Sequence, residues 1–177
     1  MHEKVPHRLV AITREEFDDS PWYGIVVQES ALYIVIQHVS DRFDLDGYHV
    51  LRRADITTIE DTFDRKSLIE TALRLKGLAP GTPAALELSS MRGLLESVQE
   101  QYGVLVLTRE ALEPDDVEIG TIRMTSEQTY VLRWLTPDAE WDNDDRPFRY
   151  EDITMVQFDG EYEKTLLMVS NCPDYEA

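Results

Sequence analysis

Residues 8–24 read RLVAITREEFDDSPWYG, and residues 103–120 read GVLVLTREALEPDDVEIG. Each spells an apolar run, then Thr-Arg-Glu, then an acidic turn, then a glycine. Aligning Thr13-Arg14-Glu15 with Thr108-Arg109-Glu110 sets a spacing of 95 residues, and Gly24 with Gly120 makes it 96. From Tyr33 with Tyr130 the spacing reads 97 and is kept by Asp41 with Asp138, Arg52 with Arg149, and Asp55-Ile56-Thr57 with Asp152-Ile153-Thr154. It grows by single residues, and only in acidic or turn-like segments, where loops tolerate insertion. A unit of roughly 65 to 70 residues is therefore predicted to occur twice: repeat 1 over residues 8–76, a connecting loop and helix over 77–102, and repeat 2 over 103–170.

Within each unit the apolar segment Leu9–Thr13 or Val104–Thr108 reads as a strand, and a second strand runs through Gly24 or Gly120. The strongest strand signals are ALYIVIQHV and TYVLRWL, rich in β-branched residues. In the first, Tyr33, Val35 and Gln37 share one face, and Ile34, Ile36 and His38 share the other. Both faces are largely apolar, which suits a strand bent inside a small barrel. After a polar loop, two short strands close the unit, Tyr48–Arg52 with Ile56–Ile59 and Phe148–Tyr150 with Ile153–Phe158. A helix follows each copy. In DRKSLIETALRLKG the residues Leu68, Ile69, Ala72, Leu73 and Leu75 recur at helical spacing, with Asp64 as N-cap and Gly77 as stop. In GEYEKTLLMVS, Tyr162, Leu166 and Val169 form the apolar line. The connecting segment carries a helix capped by Ser89 or Ser90, with Met91, Leu94, Leu95 and Val98 on one side and Gly103 at its end. It is too apolar for a loose tether and is expected to pack on the barrels. The expected fold is α+β: two tandem five-stranded barrel-like repeats, each followed by a helix and related by a pseudo-two-fold axis.

LRRADITTI and FRYEDITMV resemble the closing segment of Sm-like barrels, with Arg52 and Arg149 in the arginine place and Ile56 and Ile153 in the aliphatic place. The glycine that follows the arginine in that family is Arg53 in one copy and Tyr150 in the other. The resemblance implies a small barrel of Sm-like or SH3-like type, and an RNA-associated role only where the missing glycine is dispensable. LDGYHVLRRADIT, TALRLKG and LSSMRGLL are similar to a bacterial family of uncharacterised function, and that likeness brings no activity.

The chain has 177 residues, 35 acidic against 17 basic, for a formal net charge of −18. Such a field repels phosphate backbones and anionic membranes and favours a basic protein partner. The single cysteine, Cys172, rules out an internal disulfide and a cysteine zinc site. Without a signal-length apolar segment or a bilayer-length run, the expected location is cytoplasmic.

Templates for chemistry are not met. The loops DAEWDNDD, Asp138–Asp145, and DRFDLDG depart from EF-hand spacing. His2, His7, His38 and His49 lack zincin spacing; His38 and His49 flank one loop and are able to approach each other, but read as ordinary strand histidines. PGTP at Pro80–Pro83 has no Walker lysine, and no nucleophile elbow occurs. Asp55 and Asp152 read as turn residues paired with Arg52 and Arg149. No catalytic residue, metal ligand or cofactor site is predicted. The expected function is a non-catalytic interaction or scaffold protein with a basic protein partner, its candidate binding residues Arg52, Arg53, Arg149 and an exposed Trp141. The alternatives are an Sm-like RNA-associated regulator and an acidic inhibitor or immunity-type protein. An exposed barrel edge would also support a homo-oligomer.

Overall fold

The computed structural model describes residues 7–143 and 146–175. The first half contains β1 (Leu9–Thr13), β2 (Trp22–Glu29), β3 (Tyr33–Val39), β4 (Leu45–Arg52), a 3-10 turn (Arg53–Asp55), β5 (Thr58–Glu60) and α1 (Lys66–Leu75). Helix α2 (Met91–Tyr102) connects it to β6 (Leu105–Thr108), β7 (Val117–Thr125), β8 (Thr129–Leu135), β9 (Trp141–Asp142), β10 (Pro147–Arg149), a second 3-10 turn (Tyr150–Asp152), β11 (Met155–Phe158) and α3 (Glu161–Ser170). Among the described residues, no helix is long and apolar enough to cross a membrane.

The strands do not form two tandem barrels. They make one open antiparallel sheet in the order β10-β8-β7-β6-β11-β4-β3-β2-β1-β5, with β9 added to β8. The seam is the pair β11–β4, in register from Met155 opposite Leu51 to Phe158 opposite Tyr48. Each half contributes its strands in the same order, so the last strand of the second half meets the fourth strand of the first. A two-fold axis would join like edges; this seam joins unlike ones, and the halves are related head to tail.

Residues on adjacent strands explain why both faces of β3 are apolar. Leu51 and its partner Met155 belong to a cluster with Val10, Ile12, Ile34 and Ile36. Val50 and its partner Val156 belong to a different cluster, with Tyr33, Val35, Leu105, Leu107, Tyr130, Leu132 and the α2 residues Leu94, Leu95 and Val98. The halves thus bury opposite faces of one sheet, and β3 is covered on both sides because it serves each. The sheet is also strongly curled. Arg14, just beyond β1, reaches the Thr154 carbonyl at 3.5 Å, although in the sheet β1 and β11 are four strand spacings apart, roughly 19 Å if flat.

The internal repeat is real, with a different register from the one suggested by matching letters. Gly24 lies opposite His38 and Gly120 opposite Trp134. Ser30 and Ser126 close the same turn, their backbone N–H groups donating to Tyr33 and Thr129 at 2.8 Å. Phe43 and Ala139 share a left-handed backbone, with φ of 59° and 58°. A spacing of 96 therefore persists through β3 and β8, and Tyr33 corresponds to Thr129, not to Tyr130. Tyr130 corresponds to Ile34 and fills the inside of its half, whereas Tyr33 packs outside its own. The last inserted residue falls between β9 and β10, after which Arg52 and Arg149 do correspond.

Helix α2 keeps the predicted face, with Met91, Leu94, Leu95 and Val98 buried. Ser90 caps it, its Oγ accepting from Gly93 N at 3.1 Å, and Gly103 ends it at φ 79°. The segment before it is fastened to the first half: Gln28 Nε2 donates to the Ala84 carbonyl at 2.9 Å and Gln37 Oε1 accepts from Gly81 N at 2.7 Å. Three helix details differ from expectation. In α1 the buried residues are Ile69 and Leu73, while Leu68 and Leu75 of the expected apolar line are exposed. The N-cap of α1 is Arg65, without a side-chain cap, not Asp64. In α3 the inward residues are Glu163 and Leu166, while Tyr162 is exposed. Glu163 turns in because its Oε1 accepts from Gly160 N at 2.6 Å, satisfying an orphan donor at the start of the helix.

The outer edges are polar where the seam is apolar. At the seam β11 presents Met155, Val156 and Phe158, all buried; the corresponding positions of the first half hold Thr58, Ile59 and Asp61, and Thr58 is exposed. The opposite edge, β10, is three residues long and begins with Pro147. Short, polar and proline-bearing edges discourage further strand addition.

Candidate functional site

The two Thr-Arg-Glu segments meet at the seam. Arg14 is fully buried and donates two hydrogen bonds to Asp18, at 2.7 and 3.0 Å, and two to Glu110, at 2.8 and 3.0 Å. Burial works against its charge, and the bonds to Glu110 and Asp18 outweigh that cost, holding the guanidinium above its ordinary pKa. Asp18 Oδ2 also accepts the indole N–H of Trp22 at 2.9 Å. This linkage places Trp22 against two histidines: its ring lies edge-on to His38 at 5.4 Å and to His49 at 4.8 Å. The imidazoles stack on each other with centroids 4.4 Å apart. Positions 38 and 49 share a face because Ile36 pairs with His49 across β3 and β4.

These rings form the floor of a cleft of about 600 Å³ between the halves. Its walls include Tyr48, Val106, Ile119 and Phe158, and its rim carries Asp46 from the first half and Asp115 and Asp116 from the second. Val117 and Tyr162 also line it and are large exposed apolar residues, at 55% and 59%. A second hollow of about 720 Å³ shares Trp22 and His38 and is bordered by Phe17, Asp41, Arg42 and Arg65.

Burial, the neighbouring His38 and then Arg14 push the pKa of His49 well down. Burial also lowers His38, against the pull of Asp46 and Asp41. Both rings are therefore neutral near pH 7 and take up a proton more readily in the unfolded chain. Stability from this source is complete above the ordinary histidine value of about 6.5 and is lost as pH falls below it. The free energy of unfolding, from urea titrations between pH 7.5 and 5.5, is expected to fall by at most about 1.4 kcal/mol per pH unit for each titrating histidine. His49→Gln should flatten the profile; an unchanged slope would show that these rings do not govern it.

The residues singled out in the sequence lie elsewhere. Arg52 is held by Asp55 at 2.6 and 3.0 Å and by the Glu151 carbonyl at 2.7 Å, stapling the seam. Arg53 bonds the Ser30 carbonyl and Glu29. Arg149 sits on the far edge and pairs with Glu151 at 2.6 Å, not with Asp152. Trp141 is half-buried, with Arg133 stacked 4.6 Å over its ring, because β9 pairs it against Leu135. Asp144 and Asp145 of the acidic loop, like His2, lie outside the described residues. Cys172 is exposed.

Among the described residues, one trio has carboxylate spacing suited to a metal: Glu113, Asp116 and Glu118. A cation already occupies it, since Arg109 donates to Glu113 at 2.6 Å and to Glu118 at 2.5 Å. Glu118 is buried where the first half has Trp22. Burial raises its pKa, against the opposing pull of Arg109.

The approach of His38 to His49 was legible from one loop flanked by two strands. The contribution of Asp115, Asp116 and Val117 was not, because the seam brings them from the second half with no local pattern to announce it. Searches against protein-family models, curated proteins and solved structures find no match to this chain.

Proposed function

We propose that this chain is a cytoplasmic, non-catalytic docking protein that binds a basic protein partner at the cleft between its halves. The carrying observation is the cleft rim: Asp46, Asp115 and Asp116 beside the exposed Val117 and Tyr162. Acidic groups around an apolar, aromatic floor match a basic segment with apolar edges, and the −18 net charge steers such a partner toward it. The floor offers contact surface rather than a poised base, since each imidazole packs on the other and on Trp22. The polar sheet edges leave the cleft as the preferred place of contact.

The test is affinity capture from an extract of the producing organism, with the wild-type chain and an Asp115→Lys/Asp116→Lys variant side by side. A basic protein retained by the wild type should be lost with the variant. With the purified partner, Kd should rise at least about tenfold on charge reversal and association should slow steeply with salt. Equal capture by both chains would refute docking at this cleft.

A further inference from the structure

Resting on that docking reading, we infer that the partner's anchor is one arginine or lysine side chain, seated on the Trp22–His38–His49 cluster between Asp46 and the Asp115–Asp116 corner. The cleft is built in two layers. Val106, Ile119 and Phe158 supply an apolar wall, and three carboxylates stand at the rim. A long basic side chain has the same two parts, an alkyl stem and a cationic head.

The floor adds an independent indication. The Trp22 indole, edge-on to both stacked imidazoles, makes the floor an aromatic surface. The ring cluster suits a cation, which aromatic groups attract. An anion would meet the carboxylates, and a purely apolar group would leave the rim desolvated.

The same geometry makes capture sensitive to protons. His49 faces His38, Trp22 and, behind it, Arg14; His38 faces Asp41 and Asp46. Asp18 holds Trp22 from below, the second half adds Asp115 and Asp116, and α3 adds Glu163. A proton on either imidazole places positive charge where the ligand cation sits, and because both rings are held below the ordinary histidine pKa, binding weakens only below that range.

The experiment titrates the full chain with n-butylguanidinium and n-butylammonium, with 1-pentanol as the neutral control, following the Trp22 indole N–H and both imidazoles by NMR. The two cations should produce saturable shifts at millimolar concentration. Kd should rise about fivefold in Asp115→Asn/Asp116→Asn and stay nearly level from pH 7.5 to 6.5, rising only as pH falls below the ordinary histidine value. Equal shifts with 1-pentanol, or no saturation with either cation, would overturn the inference. If charge reversal abolishes partner capture while the cations fail to bind, the anchor is wrong and the docking reading survives. If the cations bind as expected while capture is insensitive to charge reversal, the docking reading fails and the cation site stands.

Discussion

Arg14→Ala is expected to lower the free energy of unfolding by about 3–5 kcal/mol, the cost of removing one member of a buried, hydrogen-bonded ion group. The loss would leave Asp18 and Glu110 side chains, only 11% and 12% exposed, facing each other without their cation. Glu110 belongs to the second half, so the substitution also unfastens the seam. Globular domains are stable by about 5–15 kcal/mol, and a loss of this size brings the chain near its limit. Arg92→Ala is the control: that guanidinium pairs with Glu96 with both side chains about half exposed, at 44% and 51%, and its loss should leave the unfolding midpoint nearly unchanged. Urea unfolding followed by far-UV circular dichroism reads both. A cost below about 1 kcal/mol for Arg14→Ala would show that the seam is held by its apolar contacts alone.

Gly120→Ala should destabilise by about 3 kcal/mol or more, at or beyond the upper end of overpacking costs. A Cβ there would overlap the Arg133 carbonyl oxygen and lie 3.1 Å from the Trp134 Cα, both backbone atoms of the neighbouring strand that cannot swing aside. Gly24, its counterpart, is confined in the same way by the Gln37 carbonyl at 2.8 Å. The repeated glycine thus marks where β2 and β7 lie close against their neighbours. Gly77→Ala separates backbone strain from crowding: its φ is 69° with no atom within 4 Å of the added Cβ, so only a left-handed penalty of about 1 kcal/mol is expected. Thermal unfolding of the two variants tests the ranking. Gly120→Ala matching Gly77→Ala would refute the close approach.

The duplication, the strand order within each copy and the buried face of α2 were legible because they rest on local periodicity and turn chemistry. Tyr33 and Tyr130 are identical residues at positions that do not correspond; the shared turn geometry at Phe43 and Ala139 shows the true correspondence. Two apolar faces on ALYIVIQHV suggested a closed barrel, yet the second face is covered by the other half and α2. Nothing local distinguishes these outcomes, since a buried side chain is apolar whichever neighbour buries it. The basic residues drew attention as binding candidates, but Arg52 and Arg53 are occupied by contacts within the fold.

By itself, the amino-acid order determined that one strand-rich unit is written twice, that an apolar helix joins the copies, and that the surface is strongly acidic. Only the tertiary structure decided that the copies share one open sheet head to tail, that Arg14 of one copy locks onto Glu110 of the other, and that two histidines and three aspartates border a common cleft. The physical reason is separation along the chain: strand periodicity is set by neighbours one or two residues apart, whereas the seam and the cleft are set by contacts between residues as far apart as Arg14 and Glu110, a choice made by packing and by pairing a buried charge.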